Sequence, residues 1–385
     1  MANTVDVVLL RNRRKRRRRI IKVVVFLLFA ALCIFIYSKR EIWFSQLEGI
    51  GSRYQTVTHN EEAEAEGVFE LTISGGVQYH ADFINSNMFI LYDKYLYIYG
   101  TDGKEKDRRQ HAYSNAVMKV AGERSLIYSS NGTSFRVDTP SKLVYEIQNT
   151  DPIWFAVLSE EGYVAVVSDS DTYACRLTIY DTAGKVVYTR ECVERLSDVS
   201  FHGNGCIFST ISAADGELMT TLQYITFDSD EARWETEPLD TLCLNVYALA
   251  DGGAFVIGDT KAAYYSSTGA LVGTYDYNAV LLDHAFKDGR GAVLLKNEER
   301  RQSILMLFSD KSTAPAYVYF DSIMKNVIVD NETAYVLGGG HIDSYAFSGD
   351  QVGTVEVTDA YDRILRYGKS FYLLGYDKIH RTESN

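Results

Sequence analysis

The sequence is poor in basic residues beyond its first 40 positions. Residues 41–385 carry 28 Lys or Arg against 50 Asp or Glu, whereas residues 1–40 carry eleven bases and one acid. Binding to nucleic-acid phosphates requires a basic face, so the acidic body of the chain argues against nucleic acid as its partner. Proline is also scarce, with 4 residues against 28 Gly and 28 Tyr, a balance typical of strands joined by tight turns.

The common sequence motifs of enzymes are missing. No G-x-S-x-G, G-x-x-x-x-G-K-[ST] or G-x-G-x-x-G is present, which removes the nucleophile elbow and the usual phosphate-binding loops. The histidines form neither H-x-H nor H-E-x-x-H, so a zinc site would have to be assembled from distant segments; they are His59, His80, His111, His202, His284, His341 and His380. We therefore assign no catalytic, cofactor-binding or metal-binding residues, and we expect no cofactor.

Two short segments resemble ligand-binding loops, but each is better interpreted as a turn. Asp169–Asp171 has the D-x-D start of a calcium loop. Ala174 and Tyr180 stand at its sixth and twelfth positions, where Gly and a bidentate Glu are required. We interpret this segment as a polar turn, and Gly338–Gly340 as a turn between strands.

The N-terminal segment has the features of a membrane anchor. Residues 11–19 hold eight Lys or Arg, and Lys22 is the only charge in the apolar residues 20–37. Eighteen helical residues span about 27 Å, close to the hydrocarbon thickness of a bilayer. No small-x-small cleavage site follows, so a retained anchor is favoured over a cleaved signal peptide. The arginine run is typical of a topology signal rather than of a nuclear-localisation or RNA-binding patch, because it directly precedes the apolar stretch.

These features predict four parts in the chain. Residues 1–19 form a cytoplasmic basic tail, residues 20–37 a transmembrane signal-anchor helix that contacts membrane lipid, and residues 38–66 a linker that ends in an acidic cluster. Residues 67–385 form an extracytoplasmic domain, because the positive charge stays on the cytoplasmic side. The predicted localisation is the cell membrane, with a single pass.

One pattern recurs along the body of the chain: an alternating strand, a Gly, Asp or Ser turn, and a second alternating strand. The first turn residues of its copies are Gly100, Asp138, Asp181, Asp228, Ser266, Ser309 and about Phe347. The intervals between them are 38, 43, 47, 38, 43 and 38 residues. A period of about 41 residues is typical of four-stranded propeller blades.

The remainders at the two ends of the body complete one further blade. The C-terminal tail supplies three strands, and residues 67–76 supply a single strand without a blade of its own. Joining them closes the ring and removes an exposed sheet edge. We predict an all-β propeller of eight four-stranded blades, closed by the N-terminal strand, with seven blades as the alternative. Two separate globular domains would not explain the even spacing.

The hairpin of the clearest copy resembles those of quinoprotein-like propellers. It has Asp181, Gly184 and Lys185 in an Asp-x-x-Gly-Lys turn, and Tyr188 stands where that family places a tryptophan. The layout of the whole chain resembles a group of Firmicutes single-pass membrane proteins that carry an extracellular propeller and a domain of unknown function. The cofactor site of quinoprotein dehydrogenases often uses adjacent cysteines, which this sequence lacks. The resemblance therefore implies the fold and not the cofactor.

Four of the five cysteines lie in the predicted extracytoplasmic domain, where disulfides persist; they are Cys175, Cys192, Cys206 and Cys243. If Tyr180 pairs with Lys185, then Cys175 and Cys192 are diagonal neighbours on one face of a hairpin. This offset is compatible with either of two interpretations, a disulfide or a pair of buried free thiols.

A regular repeat without catalytic motifs predicts a non-enzymatic recognition or scaffold module, because rigid propeller loops present binding surfaces. The expected partner is an envelope protein or a cell-wall polymer. The alternative is a glycan-active hydrolase or lyase with carboxylates at the mouth of the propeller channel. A third interpretation is a structural subunit within a membrane complex.

Overall fold

The computed structural model describes residues 69–73, 78–214, 216–229, 231–311 and 313–383. In this part of the chain there are 32 strands, and none of its elements is an apolar helix of membrane-spanning length. The predicted tail, signal-anchor helix and linker (residues 1–66) lie outside the described residues. The described residues all belong to one compact unit, Gly67–Asn385.

The strands follow one another with short turns. In chain order they are β1 (Glu70–Thr72), β2 (His80–Ile84), β3 (Asn87–Tyr92), β4 (Tyr95–Gly100), β5 (Glu105–Gln110), β6 (Ala116–Ala121), β7 (Arg124–Ser129), β8 (Ser134–Asp138), β9 (Leu143–Gln148), β10 (Ile153–Leu158), β11 (Val164–Ser168), β12 (Cys175–Tyr180), β13 (Val186–Cys192), β14 (Arg195–His202), β15 (Gly205–Ala214), β16 (Glu217–Thr226), β17 (Ala232–Glu235), β18 (Cys243–Ala248), β19 (Ala254–Gly258), β20 (Lys261–Tyr265), β21 (Leu271–Asp276), β22 (Val280–Lys287), β23 (Arg290–Asn297), β24 (Gln302–Phe308), β25 (Ala316–Phe320), β26 (Met324–Asp330), β27 (Thr333–Gly338), β28 (His341–Ala346), β29 (Gln351–Glu356), β30 (Tyr361–Tyr367), β31 (Ser370–Gly375) and β32 (Lys378–Glu383).

These strands form eight antiparallel sheets of four strands each, which are the blades of a propeller ring. Blades 1 to 7 are β2–β5, β6–β9, β10–β13, β14–β17, β18–β21, β22–β25 and β26–β29, and each is a meander of consecutive strands. Blade 8 has the order β1-β32-β31-β30. Leu71 of β1 pairs with Ile379 of β32, so the N-terminal strand completes the last blade. The prediction of eight blades and of this ring closure is confirmed.

Burial divides each blade into an apolar interior and an exposed outer edge. The second strands β11 and β19 are buried at every residue. They contain the runs Val164–Val167 and Ala254–Ile257, which are apolar on both faces because another blade packs against each face of the sheet. Fourth strands such as β21 alternate between exposed and half-buried residues, as expected for an edge that faces solvent.

The segment between β12 and β13 contains one more unpaired residue than the sequence analysis predicted. Asp181 Oδ1 accepts hydrogen bonds from the backbone N–H groups of Ala183 and Lys185, each at 2.9 Å. Gly184 adopts φ +81°, a conformation that suits glycine and produces a β-bulge after the turn. Tyr180 therefore pairs with Val186 rather than with Lys185.

This bulge corrects the predicted register of the hairpin. Cys175 pairs directly with Cys192, so the diagonal arrangement predicted from sequence is wrong. Bulges at the corresponding position, where the third and fourth strands begin to pair, occur in blades 1, 2, 4, 5 and 7 as well. The repeated turn thus sets the register of most blades.

Candidate functional site

The first strand of each blade lines the central channel of the ring. Neighbouring first strands contact each other, for example β14 with β18, β22 with β26, and β26 with β30. A first strand pairs with only one strand of its own blade, so its other edge presents unpaired backbone N–H and C=O groups. Those groups need partners from elsewhere.

Side chains from the preceding blade supply such partners to the first strands of blades 5, 7 and 8. Asp198 of β14 accepts from the backbone N–H of Val246 at 2.9 Å and from the Asn245 side-chain amide at 3.2 Å. Asp283 of β22 makes the same contacts two blades further along. It accepts from the backbone N–H of Val327 at 2.8 Å and from the Asn326 side-chain amide at 2.6 Å. These carboxylates cap strand edges and join successive blades.

Uncharged side chains also cap strand edges, either the same edge or a different one. Asn326 Oδ1 accepts from the backbone N–H of Ile364 at 2.9 Å, and Ser200 Oγ accepts from that of Ala248 at 2.9 Å. The sequence analysis did not predict these side-chain caps, although the spacing of the residues indicates them. Asp198, Asn245, Asp283 and Asn326 are separated by 47, 38 and 43 residues, three of the intervals found for the turns.

A cavity of about 380 Å³ lies where the channel opens at the ends of these first strands. We call it the channel-mouth cavity; its lining includes Lys119, Ser159, Glu161, Ser200, Tyr247 and Phe286. These residues come from five consecutive blades, so the cavity forms only when the ring is assembled. Its volume falls within the usual range for small-ligand sites.

Two polar groups in the channel-mouth cavity are not used by the framework. The Lys119 side chain makes no ion pair or hydrogen bond with any described residue. The Tyr247 ring stacks on Phe286, with centroids 4.5 Å apart and an interplanar angle of 18°. The Tyr247 hydroxyl likewise has no hydrogen-bond partner among the described residues, and burial raises its pKa, so it stays protonated and can donate.

Burial favours the neutral form of two imidazoles on the first strands. Burial lowers the pKa of His284, and the Lys119 charge acts in the same direction, opposed by Asp283. Burial also lowers the pKa of His80, and the charges of Arg363 and Lys119 add to this effect. Lys119 is therefore the side chain that supplies positive charge to the cavity lining.

The channel also contains carboxyl groups whose pKa is raised. Burial raises the pKa of Asp198 to about 6, although the backbone N–H groups of Val246 and Val199 oppose the shift. Burial likewise raises the pKa of Asp82, whose Oδ1 accepts from the backbone N–H of Phe83 at 2.7 Å. Raised carboxyl pKa values occur at catalytic acids, but buried framework groups have them as well.

The segments singled out in the sequence occupy turns. Asp169–Asp171 lies between β11 and β12, where Asp169 Oδ1 accepts from the backbone N–H of Ser170 at 3.2 Å. Gly338 ends β27, and Gly339 and Gly340 form the turn to β28 with φ values of 61° and 82°. Among the residues that the structure describes, no group of three or more His, Cys, Asp or Glu is arranged to hold a metal ion.

The fold is similar to that of several solved propellers. BamB from Moraxella catarrhalis shares 11% identity, with 82% of this chain and 96% of that chain covered and a TM-score of 0.50. Sqt1 from Saccharomyces cerevisiae shares 10% identity over 82% of this chain and 99% of that one, with a TM-score of 0.60. Apo AztD from Citrobacter koseri shares 9% identity over 74% and 88%, with a TM-score of 0.51. At such identities the likeness establishes the fold alone.

No curated protein matches the chain. Residues 54–382 match the model of a family of unknown function, DUF5711. This match spans most of the chain and includes every strand of the propeller except the last residue of β32. The resemblance to a family with a domain of unknown function is thereby confirmed, and the chain belongs to the DUF5711 family.

Proposed function

We propose that the propeller is a non-enzymatic recognition module, held outside the cell membrane by its N-terminal helix, which binds an envelope protein or a cell-wall polymer. The observation that carries the proposal is the channel-mouth cavity with its two unused polar groups, the Lys119 ammonium and the Tyr247 hydroxyl. Polar groups that make no hydrogen bond or ion pair within the described fold are available to bind a ligand.

The framework role of the carboxylates supports recognition rather than catalysis. Asp198 and Asp283 make the same pair of hydrogen bonds to the following blade, at equivalent places in two different blades. A repeated structural contact explains why each carboxylate is present. Burial then accounts for the raised pKa of Asp198 without a catalytic role.

The ligand chemistry follows from the groups that line the cavity. Lys119 can bind a carboxylate or another anionic group, and Tyr247 can donate a hydrogen bond to it. Glu160 and Glu161 lie exposed on the rim, where their carboxylates attract a positively charged group on the ligand. The stacked rings of Tyr247 and Phe286 add an apolar floor. A partner segment that carries both charges fits this lining, as a protein loop or an amino-acid-bearing wall polymer does.

The membrane location rests on the sequence of residues 1–37. Eight bases precede an apolar stretch long enough to span a bilayer, and this order favours a cytoplasmic N-terminus. The propeller then lies outside, within reach of envelope proteins and the wall.

The test is crosslinked co-purification of the full-length chain from its native membranes, compared with an anchor segment of residues 1–66. We expect enrichment of one or two envelope proteins, or of wall fragments, that the anchor segment does not capture. Lys119→Ala and Tyr247→Phe should reduce this capture at least several-fold. Lys142→Ala, which removes an exposed charge from the outer turn of the same blade as Lys119, should not.

Two results would count against the proposal. Capture that is unaffected by Lys119→Ala and Tyr247→Phe would remove the channel-mouth cavity as the binding site. If the full chain captures nothing beyond the anchor segment, and residues 67–385 bind no member of a cell-wall glycan panel, the recognition function itself is wrong.

A second candidate is a glycan-active hydrolase or lyase. It is favoured by the pKa of about 6 for Asp198, which lies at the channel mouth with Glu160 and Glu161. Glycoside hydrolysis requires a protonated acid and a second carboxylate. Release of reducing ends from wall glycans by the full-length chain, abolished by Asp198→Asn in a folded protein, would establish this function.

A further inference from the structure

Two cysteines face each other at one end of the outer hairpin of blade 3. Cys175 is the first residue of β12, Cys192 is the last residue of β13, and the two are direct partners in the register. Directly opposed residues in antiparallel strands have Cα atoms about 4.5–5.5 Å apart. Disulfides span about 4.4–6.8 Å between Cα atoms, so no backbone movement is needed to join this pair.

The two cysteines share one register position, so their side chains are neighbours across the hairpin. The interaction between the two side chains lowers the pKa of Cys175 and raises that of Cys192. Their contacts with backbone are long: Cys175 Sγ lies 3.5 Å from the Glu194 carbonyl oxygen, and Cys192 Sγ lies 3.8 Å from that of Arg190. Neither sulfur is committed to a stronger partner.

The surroundings of the pair are apolar and closed to solvent. Cys175 is 0% exposed and Cys192 is 6% exposed. Both belong to the core between blades 3 and 4, which also contains Leu177, Leu196 and Phe208. A bond formed there is protected from exchange with thiols in solution once the blade is folded.

The other two described cysteines have no such partner. Cys206 lies in the same core, but its neighbours in the register are Phe201 and Ile225. Cys243 pairs with Gly258. Among the described cysteines, direct opposition is therefore specific to Cys175 and Cys192, and the other two serve as internal controls.

We propose that Cys175 and Cys192 form a disulfide when the chain folds in an oxidising compartment. The Cys175 thiolate attacks a small-molecule or protein disulfide, forms a mixed disulfide and releases one thiolate. The Cys192 thiolate then attacks the Cys175 sulfur and releases the second thiolate. Two cysteine thiols are thus oxidised, and the incoming disulfide is reduced to two thiols.

The bond would stabilise the edge of blade 3 where the chain leaves it. β13 is an outer strand that pairs only with β12. After Cys192 the chain passes through Val193 and Glu194 to the first strand of blade 4. A covalent link at this point holds the end of the outer strand in register, at the crossing between two blades. The inference concerns folding chemistry, so it does not depend on the proposed recognition role, although the oxidising compartment rests on the proposed location outside the membrane.

The test uses the full-length chain refolded with oxidised glutathione, followed by alkylation of free thiols and tryptic digestion without reduction. We expect a cross-linked species that joins residues 143–176 to residues 191–195, lighter than the two free peptides together by two hydrogens. Reduction before digestion should convert it into the two separate peptides.

Four variants make the result specific. The cross-linked species should persist in Cys206→Ala and Cys243→Ala and disappear in Cys175→Ala and Cys192→Ala. Recovery of both Cys175 and Cys192 as alkylated thiols from refolded wild-type chain would overturn the proposal. A cross-link of either residue to Cys206 or Cys243 as the main product would overturn it equally.

Discussion

Asp198 and Val246 belong to neighbouring blades, and the Asp198 carboxylate accepts a 2.9 Å hydrogen bond from the backbone N–H of Val246. The N–H lies on the free edge of the first strand of blade 5, where strand pairing offers it no partner. Contacts of this kind join blade 4 to blade 5, blade 6 to blade 7 and blade 7 to blade 8 around the channel. Polar side chains of one blade complete the hydrogen bonding of the next.

The pKa of Asp198 predicts a specific dependence of stability on pH. Burial raises this pKa to about 6, from about 4 in the unfolded chain, so the folded state binds the proton more tightly. Stability from this group is therefore greatest below about pH 4 and declines as pH rises through 6, by up to about 3 kcal/mol. Asp198→Asn should abolish this decline, because an amide oxygen still accepts from Val246, as Asn326 does from Ile364.

The measurement is the free energy of unfolding by urea at several pH values between 4 and 7. Glu160→Gln, an exposed carboxyl on the rim of the same cavity, should retain the wild-type pH dependence. An unchanged pH dependence in Asp198→Asn would mean that Asp198 is already ionised at pH 5.

Removal of the Asp138 carboxylate should destabilise the packing of blade 1 against blade 2. Asp138 is fully buried and accepts from Arg136 Nε and Nη2, each at 2.7 Å, and from Arg109 Nη1 at 3.0 Å. Asp138→Ala leaves two nearly buried guanidinium groups without this partner, which typically costs about 3–5 kcal/mol. The exposed pair between Lys104 and Asp102 is a suitable control, and Lys104→Ala should leave the unfolding midpoint unchanged. Equal effects of the two substitutions would contradict the framework role of Asp138.

Closure of the ring by β1 can be tested at Phe69. Its ring is 3% exposed and meets Tyr372 edge-on, with centroids 5.0 Å apart. Phe69→Ala should cost about 3–5 kcal/mol and accelerate amide hydrogen exchange in β32, the strand with which β1 pairs. Glu70→Ala, the exposed neighbour, should do neither. Unchanged protection of β32 in a destabilised Phe69→Ala protein would argue against N-terminal closure.

Gly205 should tolerate no side chain, because β15 and β16 approach closely at its position. A Cβ atom there would overlap the backbone carbonyl oxygen of Ile225, which cannot move without breaking the sheet. Gly205→Ala should therefore lower the free energy of unfolding by at least about 2 kcal/mol. Gly353→Ala, in the outer strand β29, places its Cβ at an ordinary 3.6 Å from Ser344 Oγ and should have little effect. Thermal or urea unfolding of both variants provides the comparison.

The sequence alone was sufficient to predict the architecture of the body of the chain. The spacing of turn residues such as Asp138 and Asp181 gave the blade period, and the unmatched strand near residue 70 predicted the ring closure. These properties are local, because each four-stranded unit has its own turns and its own alternation of apolar residues. A chain with that period can bury its inner strands only by closing into a ring.

Other features depend on contacts that no local pattern contains. The register of Cys175 with Cys192 depends on the bulge that Asp181 and Gly184 create, so it follows from backbone geometry and not from counting residues. Ring assembly also brings together residues such as Asp198 and Val246, 48 positions apart, and only then does an aspartate become the cap of a neighbouring strand. The channel-mouth cavity likewise exists only between five blades. The sequence determined the repeat and its closure, whereas the tertiary structure decided which side chains meet around the channel and which stay free to bind.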